Sequence, residues 1–123
     1  MENKNPTDIL IETLEEMGYV QAESIFLQGA MPKDLPYPDS FFTFRNYINE
    51  YNIYRDNEPM QTDWEFALNF YSNDVRKVDS IMLDAIKRLK AKGFNAKGKG
   101  TDAISDEPTH IGKENTLIYR ENN

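Results

Sequence analysis

The stretch TDWEFALNFYSNDVRKVDSIMLDAIKRLKAKGF, residues 62–94, decides the fold. Its first part alternates. Trp64, Phe66, Leu68 and Phe70 share one parity, and Glu65, Ala67, Asn69 and Tyr71 the other. A period of two is a strand, and four large apolar side chains on one parity require a covered face. Ser72-Asn73-Asp74 then breaks the alternation with short polar side chains suited to an N-cap. After it, Val75, Val78, Ile81, Met82, Ala85, Ile86 and Leu89 recur at helical spacing, while Arg76, Lys77, Asp79, Ser80, Asp84, Lys87 and Arg88 fill the opposite side. Lys87, Arg88, Lys90 and Lys92 crowd the last turns, where cations suit the helix dipole. Gly93 reads as the left-handed residue that ends the helix, with Phe94 folding back on Leu89. A one-faced strand feeding a one-striped helix places the helix on the sheet.

The rest of the chain extends this unit. Asn5-Pro6 starts a first helix, with Asn as N-cap and Pro at the first helical position. Ile9, Leu10, Ile11, Leu14 and Met17 form its apolar stripe, Gly18 stops it, and Tyr19 is placed to pack on Leu14. SIFLQ (24–28) reads as a short edge or bridging strand. Residues 29–39 hold three prolines and read as loop, long enough to carry interactions. In SFFTFRNYI (40–48), Phe42 and Phe44 share a face, and Phe41, Thr43, Arg45 and Tyr47 share the other. The polar stretch 49–60 is expected to be a wide antiparallel connection, with a projecting hairpin arm as the alternative. TLIYR (116–120) closes the sheet, and Gly112 suits a bulge or tight turn before it. The expectation is α+β: a mostly antiparallel sheet of about four strands with two helices packed on one face. Residues 1–123 are expected to form a single domain, loose at about 1–5 and 121–123.

Composition narrows the chemistry. There is no cysteine, which removes disulfides, thiolate catalysis and cysteine-based zinc sites. No stretch reads as a signal peptide and no apolar run approaches about 18 residues, so export by that route and membrane spanning are not expected. The net charge of −7 is unevenly placed: residues 1–74 hold 4 Lys/Arg and 14 Asp/Glu, and residues 75–123 hold 10 and 7. Surfaces carry charge, and local imbalance is the simpler reading. Complementary docking between copies or partners is the sharper one.

His110 is the sole histidine; without a visible nucleophile or orienting carboxylate it is read as a loop histidine bonded to backbone. Asp102, Asp106 and Glu107 lack calcium-loop spacing and read as a solvated acidic turn. The sequence KGKG (97–100) lacks the phosphate-loop pattern and reads as a flexible turn. Lys87, Arg88, Lys90, Lys92, Lys97 and Lys99 form one basic patch around Phe94. It is suited to phosphate contacts, but the sequence pI near 4.7 weighs against nucleic acid. What remains is aromatic excess, with seven Phe, seven Tyr and one Trp. Phe41, Tyr47, Tyr51, Tyr54 and Tyr71 fall on the second sheet face or in the connection, beside Arg45 and Arg55. That is the composition of a protein interface. No catalytic, metal or cofactor residue is assigned.

The segments SFFTF (40–44), DNEP (56–59), WEFALNFYSND (64–74), AKGF (91–94) and GKG-TDAISDEPTHIGKENTLIYRE (98–121) resemble a family of small proteins from long-tailed phages and prophages. These are encoded among the head–tail joining and tail genes. The resemblance spans about residues 19–121, and its motifs are structural rather than catalytic. The family is similar to tail-terminator, or tail-completion, proteins. That similarity implies a non-enzymatic α+β virion subunit, made in the bacterial cytoplasm, that assembles as a ring, commonly a hexamer. Such a ring caps the tail tube and joins it to the head. The implied partners are further copies of the chain, the tail-tube protein and the head–tail connector, with DNA passing through the lumen without specific binding. Loops 29–39, 49–60 and 97–112, the last carrying Lys97, Lys99 and His110, are the expected contact regions.

Overall fold

The computed structural model describes residues 5–20, 24–27, 37–105 and 108–122. In chain order the elements are α1 (Pro6–Met17), β1 (Ile25–Leu27), β2 (Ser40–Arg55), β3 (Glu58–Ser72), α2 (Val75–Ala91), β4 (Phe94–Ala96), β5 (Thr101–Ala103) and β6 (Ile111–Asn122). The strands form one sheet in the order β1-β2-β3-β6-β4, with β5 also on β6. The fold is α+β, as expected. The sheet is larger than expected, with six strands among the described residues rather than about four. Its β1–β2 edge is parallel and every other pairing antiparallel. The short strand expected at 24–28 is β1, and the extra strands, β4 and β5, are three residues each, too short for a period of two to stand out.

Register builds the core. Phe42 lies opposite Phe70, Phe44 opposite Leu68, and Phe66 opposite Leu117. These six side chains meet Leu10, Leu14 and Met17 of α1 and Ile81, Met82, Ala85 and Leu89 of α2 in one buried cluster. Both helices therefore cover the same face. Each of the larger side chains in it, Ala85 apart, contributes about 1.5–3 kcal/mol of transfer free energy.

The helix ends follow the sequence signals. Asn5 Oδ1 accepts the Asp8 amide at 2.9 Å, and Gly18 takes φ 74°. Asp74 accepts the Arg76 amide at 3.0 Å, and Ser72 Oγ accepts the Asp74 amide at the same length. Gly93, at φ 108°, turns the chain so that Phe94 enters the core with Leu89. Tyr19 does not repeat this; it is half exposed. Near the ends of the chain, Asn5 caps α1, and Glu121 and Asn122 pair with Thr62 and Gln61.

At 49–60 the structure has the alternative, a hairpin arm, and not the first expectation. No wide connection exists. β2 and β3 run on as one long hairpin, closed by Asp56-Asn57 with φ 51° and 64°. Positive φ at both positions is the geometry of a two-residue primed turn, which Asp and Asn tolerate. A bulge between Asn46 and Ile48 separates the hairpin's base from its tip. Asn46 secures it: its amide donates to Glu65 O at 3.0 Å and to Asn49 Oδ1 at 2.9 Å. One extra residue reverses the parity of everything beyond it. Tyr51 therefore lies opposite Thr62, on the parity of Trp64 and Phe66, and joins the helix side of the sheet.

Candidate interaction surface

The ten side chains singled out by composition fall into three groups. Phe41, Tyr71 and His110 make a compact aromatic cluster on the face away from the helices. Phe41 stacks on Tyr71 with centroids 5.1 Å apart, and meets Tyr37 at 5.4 Å, His110 at 5.7 Å and Phe26 at 6.1 Å. Phe41 is 2 % exposed and His110 8 %. The expectation that the second face leaves these rings half exposed is therefore corrected for Phe41. Residues 37–39 and 108–110 fold over one end of that face and cover it from within the chain. Tyr71 is half-buried in the same cluster.

His110 behaves as a structural loop histidine. Nε2–H donates to Pro38 O at 2.8 Å, and Nδ1 accepts from the Thr109 hydroxyl at 3.0 Å, a tautomer assigned from these partners. Neither nitrogen is left for a substrate. Among the described residues no three His, Asp or Glu side chains converge as metal ligands. Asp106 and Glu107 lie outside the described residues. Asp102 is engaged by Lys113, whose ammonium bridges Asp79 at 3.0 Å and Asp102 at 3.1 Å. The Asp79 carboxylate first, and then that of Asp102, hold the Lys113 ammonium above its ordinary pKa.

Arg45, Tyr47, Tyr51, Tyr54 and Arg55 form the second group. All five are exposed and lie along β2 from the bulge region to the hairpin tip. The Arg45 guanidinium sits 5.6 Å from the Tyr47 ring centroid, within cation–π reach. Trp64 marks the limit of the core: its ring stacks near Phe66, and its Nε1–H donates to Glu121 at 3.2 Å. Beyond it the ribbon carries Tyr51, Ile53, Tyr54 and Met60 in solvent. β1 pairs only with residues 42–44 of β2. Among the described residues, the outer edge of β2 from residue 45 to 55 has no strand beside it. A long, unpaired edge bearing aromatics is a ready site for association.

Lys97 and Lys99 form the third group, in the turn between β4 and β5. Both are exposed, and Lys97 approaches Glu65 at 4.0 Å. Lys87, Lys90 and Lys92 are exposed as well, and Arg88 pairs with Asp84 at 3.2 Å along the helix.

A second apolar surface was not legible from the helix pattern. The first turn of α2 and the edge formed by β5 and β6 stand apart, leaving an open cavity of about 290 Å³ lined by Val75, Val78, Ala103 and Ile111. A separate recess of about 170 Å³ shares Asp79 and is lined by Leu83, Lys99 and Lys113. Val75 counts towards the helix stripe by spacing but is 67 % exposed, and Leu83 and Ile111 are also exposed. Ile104, which follows Ala103, is 96 % exposed. Only the arrangement of β5 beside α2, which periodicity does not encode, brings these residues together.

The fold thus defines a helix-backed sheet with an exposed ribbon at one end and an apolar groove at the other. No protein-family model matches the chain, and no curated protein matches it. No helix among the described residues is long and apolar enough to cross a membrane.

Proposed function

We propose that this chain is a non-enzymatic structural subunit of a long-tailed phage particle, a tail terminator or neighbouring neck component. In this reading it assembles as a ring, with six copies expected from the family it resembles, on the end of the tail tube. The ring stops tube growth and offers a surface to the head–tail connector, and DNA passes through without specific binding. One observation carries the reading: the chain holds two separate exposed apolar surfaces, the β2–β3 ribbon and the α2–β5 groove. A closed ring uses two different patches on each subunit, one for each neighbour. The charge asymmetry along the chain supports the same arrangement.

The test is the mass of the purified protein by sedimentation velocity, with negative-stain imaging. A closed ring that binds tail-tube protein supports the reading; a monomer at the highest accessible concentration, with no affinity for tail-tube protein, defeats it. A second reading rests on the exposed Lys87, Lys90, Lys92, Lys97 and Lys99, which suit a phosphate backbone. It calls for DNA or RNA binding with a steep salt slope, abolished when Lys90, Lys92, Lys97 and Lys99 are replaced by Glu.

A further inference from the structure

We infer that the ribbon of one copy docks into the α2–β5 groove of the next, with Tyr51 and Ile53 as the inserted anchors. The inference rests on the self-assembly reading and specifies its contact.

The two surfaces cannot satisfy each other within one molecule. Tyr51 lies opposite Thr62, near the free end of β3, whereas the groove opens at Ile111, opposite Ser72 at the other end. Ten residues of extended strand separate those positions, roughly 33 Å at 3.3 Å per residue. That strand is held between β2 and β6 and does not fold back on itself. Among the described residues, neither surface covers the other.

The surfaces also match. The ribbon tip offers Tyr51, Ile53 and Met60 as apolar projections; the groove offers Val75, Ala103 and Ile111 as an apolar recess. Aromatic side chains that fill a desolvated pocket are the residues that dominate association energies. A tyrosine is suited to this recess because its hydroxyl needs a polar partner when the ring is buried. The carboxylates of Asp79 and Asp102 stand at the recess wall and supply acceptors. The tip is acidic on balance, with exposed Glu50, Asp56 and Glu58 against Arg55. Lys99 and Lys113 line the recess beside Asp79 and offer such a tip cations that would help set its register. Because the two patches differ, the contact is head-to-tail, and its repetition closes a ring or extends a filament.

The test uses Tyr51→Glu and Val75→Glu. Both positions are exposed, and a glutamate in the first turn of α2 suits the helix dipole. Both variants are therefore expected to fold, which an unchanged far-UV spectrum and thermal midpoint verify. The wild-type chain is expected to sediment as an oligomer and each variant alone as a monomer. An equimolar mixture of the two is expected to stop at a dimer, because one intact ribbon then meets one intact groove and nothing further closes. If the wild type assembles and the variants assemble equally well, the contact is wrong while the assembly reading stands. If the mixture stays monomeric although each variant is folded, the contact is not head-to-tail and the inference is overturned. A monomeric wild type at all concentrations overturns the inference together with the reading beneath it.

Discussion

The ring of Tyr71 occupies the space that a side chain on Gly112 would need. The two residues face each other across β3 and β6, and a Cβ on Gly112 would lie 2.5 Å from Tyr71 Cδ1. Glycine is required here for close approach, not for an unusual backbone angle. Its absent side chain lets Tyr71 lie flat over β6 and stack on Phe41.

Gly112→Ala is therefore expected to force the tyrosine off its site and to lower stability by about 1–3 kcal/mol, the usual range for overpacking. Urea unfolding reads this directly. In a Tyr71→Ala background the same substitution should do much less harm, because the clash has been removed. Additive losses would show that the two residues do not share the site.

Phe41 and Tyr51 carry opposite expectations although both arose from one aromatic count. Phe41→Ala removes a buried ring and should cost about 3–5 kcal/mol. Tyr51→Ala removes an exposed one and should leave monomer stability within about 0.5 kcal/mol. Denaturant titration at low protein concentration separates them. Equal losses would sink the division between a covered cluster and an open ribbon.

These two residues also show how far the sequence was legible. The alternation from Trp64 to Phe70, the cap at Asp74, the helix stripe and the stop at Gly93 all depend on neighbours in sequence, and all were readable. So was the loop role of His110. The ribbon's geometry was not. Parity counted forward from Phe41 puts Tyr51 on the face away from the helices; the extra residue at the Asn46–Ile48 bulge moves it to the other face. A bulge leaves no periodic signal. The cover over Phe41 comes from Tyr37, His110 and Phe26, which are distant in sequence and brought together only by the fold. The groove is invisible for a similar reason. Val75 has the spacing of a core residue but sits at the helix start, where the opposing strand, β5, is three residues long and stands off from it.

Lys113 gives a prediction on the alkaline side. Its folded pKa is raised above the ordinary 10.5 by Asp79 and then Asp102. Its stabilising contribution is therefore complete below 10.5 and is lost as pH rises through the folded value. Lys113→Met should lower the thermal midpoint at pH 7–9, and the gap to wild type should narrow above about pH 10.5. A gap that stays constant through that range would mean the lysine stem, not its charge, makes the difference.

Asp74 supplies the opposite case. Hydrogen bonds from Arg76, side chain first and backbone second, pull its carboxyl below the ordinary 3.8. A depressed carboxyl contributes stability that is complete above the unfolded value and is lost as pH falls through the folded one. Asp74→Ala removes both the cap and the charge, so its thermal midpoint should lie below that of the wild type from pH 5 to 8. The gap should then narrow as pH falls below 3.8. Asp74→Asn is the informative control, because an amide oxygen caps the helix at every pH. It should restore much of the midpoint lost in Asp74→Ala while flattening the acid dependence. If wild type and Asp74→Asn instead lose stability in parallel down to about pH 2, the acid sensitivity of the fold arises from other carboxylates, and Asp74 serves α2 through hydrogen-bond geometry alone.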